Sequence, residues 1–121
     1  MAAPNLVNVT SINGKTTGAA LGTGSADLLT CASEKLLKVN SIIVANVDGT
    51  NAATATVTFY DSSATASKHL CKVANVAAGD SLIVLGKDAP IYLEEGDKIA
   101  GLASAASDLE IIISYEELDD A

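Results

Sequence analysis

Along most of the chain, apolar and polar residues alternate with a period of two. In ATVTFY, Ala55, Val57 and Phe59 fall on one side and Thr56 and Thr58 on the other. In DLEIIISYE, Leu109, Ile111, Ile113 and Tyr115 share a face, with Glu110, Ser114 and Glu116 opposite. LKVNSIIVANV places Leu37, Val39, Ile43, Ala45 and Val47 together. Successive side chains on a strand point to opposite sides, so this period, with its surplus of Val, Ile and Thr, marks strands buried on one face. No segment carries a helical period with caps, and Ala32 to Leu37 holds one turn at most.

Turn residues divide these runs at short intervals. Asn13-Gly14, Asp48-Gly49, Gly79-Asp80 and Gly96-Asp97 accept tight-turn backbone angles at little cost. Strands are predicted near residues 6–12, 27–31, 36–47, 54–60, 69–75, 81–86, 90–93, 97–103 and 109–116. About nine short, mostly antiparallel strands make an all-β fold, a β-sandwich or jelly roll, in a single domain over residues 1–121. Gly14 to Asp27, with four glycines, reads as a flexible loop, and residues 1–27 as a loop-rich N-terminal arm. Asp61 to Lys68 reads as a second loop, and Glu116 to Ala121 as a solvated acidic end.

Composition narrows the function more than the fold. Apolar residues make up 49 % of the chain, yet aromatics only 3 % and Trp is absent. A core of Ala, Val, Ile and Leu packs flat sheets closely; it offers little for stacking on sugars or bases. The net charge is −8, and the seven basic residues are all Lys. Binding to a phosphate backbone needs clustered cations, so direct nucleic-acid binding is not expected. No apolar run approaches the roughly 18 residues of a membrane helix, and the N-terminus lacks the charged and apolar regions of a secretory signal. The expectation is a chain made in a reducing cytoplasm, off the membrane, in which the Asn8-Val9-Thr10 sequon is accidental.

Candidate chemistry is thin. Gly14-Lys15-Thr16 has Val9 where a phosphate-binding loop needs its first Gly, and a dinucleotide fingerprint on Gly22 and Gly24 fails at Asp27. His69 and Cys71 are the one conceivable base and nucleophile; alternation puts them on one face about 7 Å apart, with no third residue to orient the imidazole. Glu94, Glu95 and Asp97 in YLEEGDKI are in the wrong order for a calcium loop, and alternation splits the two Glu, so they read as a solvated turn between Leu93 and Ile99. Cys31 and Cys71 have no CxxC spacing and read as small buried residues, with a disulfide or metal role as the alternative. No catalytic, cofactor or metal site is expected.

One feature exceeds a one-faced strand. Ile42 and Val44 interrupt the polar side of LKVNSIIVANV, and Ile112 that of DLEIIISYE. Such strands are buried on both faces or meet another chain. Ile42, Val44 and Ile112 are therefore the candidate subunit contacts of a closed homo-oligomer, with a trimer as the first expectation.

Asn46 to Gly49, Val76 to Ser81, Tyr92 to Ile99 and Ser114 to Glu117 carry an N-x-D-G turn, a V-x-A-G-x-S step and a closing Y-L-x-E-G-D-x-I … S-Y-E-E segment. In this outline the chain, over residues 36–118, resembles small all-β virion proteins of tailed bacteriophages, cyanophages and other marine phages among them. The resemblance implies a structural component of the virion and brings no catalytic residues. Its first implication is a head decoration (cement) protein that clamps neighbouring major capsid subunits from outside. A neck, tail or fibre-associated protein is the nearer alternative, and a host-surface glycan-binding module the more distant one.

Overall fold

The structure, a computed structural model, describes residues 6–119 and is all-β, as the alternation predicts. After a short 3-10 turn at Leu6–Asn8 come β1 (Ser11–Ala20), β2 (Ala26–Thr30), β3 (Leu36–Asn46), β4 (Ala53–Asp61) and β5 (Ala66–Val76). They are followed by β6 (Ser81–Leu85), β7 (Ile91–Leu93), β8 (Lys98–Ala103) and β9 (Leu109–Asp119). Sheet A has the order β1-β9-β3-β6, with β7 also on β3, and sheet B the order β2-β8-β4-β5. Every pairing is antiparallel.

β6 and β7 pair with successive parts of the same side of β3, at Ile42–Ala45 and Leu37–Val39. Counted as one broken edge strand, they give the order 1-8-3-6 over 2-7-4-5. That is the arrangement of an eight-stranded jelly roll.

The core lies between the sheets. Sheet A sends in Val39, Ile42, Val44, Leu109, Ile111 and Ile113, and sheet B sends in Ala53, Ala55, Val57, Ile99 and Ala103. Each fully buried Ile or Leu contributes about 1.5–3 kcal/mol relative to exposure. Small side chains predominate on the inner side of β4, at Ala53, Ala55 and Val57. At Gly101 a Cβ would meet Thr56 O at 3.3 Å and Leu28 Cδ1 at 3.1 Å, so packing there excludes even Ala without a shift.

Two buried polar side chains tie the opposite ends of the sandwich. Asn46 donates through Nδ2 to Asn51 O and Val76 O, and its Oδ1 accepts from Asp48 N. At the other end Asp97, 2 % exposed, accepts from Ser62 N, Ser62 Oγ and Glu94 N. A buried polar group persists only when bonded, and both are.

Three departures from the sequence expectation concern the first strand, the last strand and β3. The first strand is not residues 6–12: it runs from Ser11 to Ala20, through the stretch that reads as a flexible loop. Its small, mostly exposed residues have almost no alternation, and its ten-position register with β9 comes from pairing, not local pattern. The part of the expected arm formed by residues 1–5 lies outside the described residues. At the other terminus β9 continues to Asp119, so Glu116 to Asp119 are ladder residues and not a solvated end, and residues 120–121 lie outside the description. The third departure, in β3, decides the candidate site.

Candidate functional site

β3 pairs Val39 with Tyr115 and then Ser41 with Ser114, which leaves Asn40 as an extra residue in a bulge. A bulge reverses which residues face inward. Before it Leu37 and Val39 are inside; after it Ile42, Val44 and Asn46 are. Ile42 and Val44 are both 0 % exposed and belong to the core, so these two expected subunit contacts are corrected. Their outward neighbours are Ile43 and Ala45.

Ile112 is 45 % exposed on the outer side of β9. Its Cα partner on β3 is Ile43, and the partner of Ile43 on β6 is Ile83, which is 67 % exposed. On the other side Ile112 pairs with Gly18 of β1. Three isoleucines thus stand side by side across the outer face of sheet A, in one row ending on a glycine. The rows beside it are small or polar: Ala20, Glu110, Ala45 and Ser81 on one side, Thr16, Ser114 and Ser41 on the other. Thr16 and Ser114 share a hydroxyl hydrogen bond of 3.1 Å. Single exposed aliphatics are ordinary on a protein surface, whereas an aligned row makes a continuous apolar strip. Of the three candidate contacts, Ile112 alone faces outward. The residues missed from the sequence are Ile43 and Ile83, because only the cross-strand register places them together.

The remaining candidates do not assemble into chemistry. A bulge at Leu70 sets Cys71 opposite Val57 and His69 opposite Thr58, so the pair expected on one face lies on opposite faces. The Cys71 thiol donates to Ala55 O at 3.6 Å, and burial raises its pKa. Cys31 is more deeply set, 2 % exposed, and donates to Lys35 O at 3.2 Å. Burial pushes its pKa up to about 11, which leaves it a protonated, unreactive thiol at neutral pH. Both cysteines are free.

The acidic turn is a structural device. Gly96 adopts φ +82°, and a Cβ there would come within 2.9 Å of Ser62 Oγ. Asp97, expected in a solvated turn, is instead buried with its oxygens occupied by Ser62 and Glu94 donors, while Glu94 points to solvent. Leu93 and Ile99 flank it at 0 % exposure, as read from the sequence. Among the described residues no three His, Cys, Asp or Glu side chains converge as a metal site. A cleft of about 210 Å³ opens at the β5–β7 side, lined by Phe59, Leu70, Ile91, Tyr92, Lys68 and His69. It is smaller than the roughly 300–1,000 Å³ of small-molecule sites.

No family model matches the chain, and no curated protein matches it in sequence. Its fold is similar to that of a chain from the acid-stable capsid of Helicobacter pylori bacteriophage KHP30, at 8 % identity and a TM-score of 0.54, over 93 % of this chain and 91 % of that one. It is equally similar, at a TM-score of 0.54 and 15 % identity, to a chain from the disulfide-linked pili of Bacillus endospore appendages, over 92 % of this chain and 88 % of that one. Both likenesses span nearly the whole sandwich. At these identities they speak to the fold.

Proposed function

We propose that the chain is a non-enzymatic structural component of a phage particle, and specifically a decoration protein that binds the outside of the capsid and bridges major capsid subunits. The observation that carries this reading is the Ile112–Ile43–Ile83 row on the outer face of sheet A. It is an apolar strip on a jelly roll whose described residues gather no catalytic or metal-binding set. Burying such a strip against a neighbour contributes favourably to association, and a protein that binds only the assembled shell stabilises that shell by mass action. The sequence resemblance over residues 36–118 and the fold shared with a phage capsid chain support a place in the virion. The homo-oligomer expected from sequence would use this same row.

The equal likeness to a pilus chain favours one second reading, a neck, tail or fibre-associated virion protein. Quantitative mass spectrometry of purified virions separates the two. A copy number close to that of the major capsid protein supports decoration, and one ring's worth of copies supports the neck or tail. Absence from the virion overturns both.

A further inference from the structure

We propose that β1 is a self-pairing edge. The β1 strand of a second copy adds antiparallel across a two-fold axis at Thr16, and sheet A then runs unbroken through both copies. This contact is separate from the isoleucine row and does not depend on the capsid reading.

The four edges of the sandwich differ in how they meet solvent. A free strand edge invites pairing with another chain, and proteins block it with bulges, cations, short strands or Pro. β5 has two bulges, a positive φ of 50° at Val73, and Lys68, His69 and Lys72 along its length. β2 is five residues long with a bulge between Asp27 and Leu29. The β6–β7 edge is broken into five- and three-residue pieces with Pro90 between them. Of these devices β1 has only one cation, Lys15. It keeps a continuous register with β9 for all ten of its residues, and Lys15 is its single charge, already paired with Glu117 at 3.3 Å. It is also the one strand of the nine with no buried side chain.

The hydrogen-bond phase shows which residues are free to pair. Leu21 N donates to Leu109 O, which continues the β1–β9 ladder on odd-numbered residues of β1. Asn46 N to Asp80 O and Val47 N to Asp108 O fix the same phase from the far side of the sheet. In an antiparallel ladder alternate residues bond to alternate sides. Ile12, Gly14, Thr16, Gly18 and Ala20 therefore direct their N–H and C=O groups to the open edge.

Those five positions are self-complementary about Thr16. A two-fold axis there sets Thr16 against Thr16 of the second copy, Gly14 against Gly18, and Ile12 against Ala20, and it keeps each face of the sheet continuous. Lys15 meets Thr17, so no like charges are opposed. A Cβ at Gly14 would meet nothing within 4 Å, so the face of the sheet above this position is uncrowded. The full register forms about ten main-chain hydrogen bonds. The contact is isologous and gives even-numbered assemblies.

The test is sedimentation together with amide exchange on the full chain. A dimer, or an even multiple, is expected, with slow exchange at the amides of Gly14, Thr16 and Gly18, which β9 leaves unbonded. Thr16→Pro removes the outward donor and the Thr16–Ser114 hydroxyl bond but no main-chain hydrogen bond to β9, and should return a folded protomer in which Gly14 and Gly18 exchange at least tenfold faster. If Thr16→Pro does not fold, Thr16→Lys sets like charges face to face at the axis and should dissociate the pair equally. A monomer with fast exchange at those amides, a trimer, or an oligomer unmoved by either variant overturns the proposal.

Discussion

The two sheets are alike on the inside and unlike on the outside. Inside, both present aliphatic side chains that meet in one core. Outside, sheet B is mostly lined by groups that water satisfies. Thr54, Thr56 and Thr58 run along β4, and Lys98 lies 5.5 Å from the centroid of the Tyr60 ring and 3.2 Å from Asp27 Oδ2. The matching face of sheet A carries the Ile112–Ile43–Ile83 row. Core packing constrains the inner residues of both sheets in the same way, whereas nothing in the protomer requires isoleucine on the outside of one. The difference between the outer faces is thus the observation on which the proposed partner contact rests.

The sharpest way to break this comparison uses neighbouring residues. Ile42→Ala opens a cavity in the core and should cost about 2–5 kcal/mol in urea denaturation, while Ile43→Ala, one residue on, should stay within about 1 kcal/mol. Equal losses would mean that the bulge at Asn40 does not set the inward phase. Asp97→Ala should come next, at about 2–3 kcal/mol, because it strands the buried donors of Ser62 and Glu94. That loss reports how firmly the β4–β5 loop is tied to the turn joining the two sheets. On the outer faces, Ile112→Lys should leave the melting temperature within a few degrees of the parent and weaken retention on capsids by roughly tenfold, or about 1.4 kcal/mol. Thr58→Lys, its counterpart on sheet B, should leave retention unchanged, and equal effects from the two would erase the distinction between faces. The smallest effect concerns Cys31. Its pKa is raised on folding, so its contribution to stability is complete below the ordinary thiol value near 9 and is lost as pH rises toward about 11. Native protein at pH 8 should resist alkylation at Cys31, and the shallow alkaline loss of stability should disappear in Cys31→Ser.

Eight of the nine strands are legible in the sequence to within a few residues, because a strand buried on one face must alternate and its ends need turn chemistry. β1 is not legible. SINGKTTGAA buries nothing, so no hydrophobic period marks it, and its four small or flexible residues Gly14, Gly18, Ala19 and Ala20 suggest a loop. Only the ladder offered by β9 makes it a strand. The candidate contacts divide in the same way. Ile112 follows a strict alternation that sets it opposite the core-facing Ile111 and Ile113, while Ile42 and Val44 lie beyond a bulge whose single extra residue, Asn40, carries no distinctive signal.

Local pattern by itself determined the all-β class, the positions of most strands and turns, and the scarcity of reactive groups. These follow from side-chain period and backbone preference, which act over a few residues. Tertiary structure alone decided the jelly-roll order, the inward turn of Ile42 and Val44, the union of Ile43, Ile83 and Ile112 in one row, and the open edge of β1. Each depends on which strand lies beside which and in what register, and that choice is made by pairing between residues far apart in the chain.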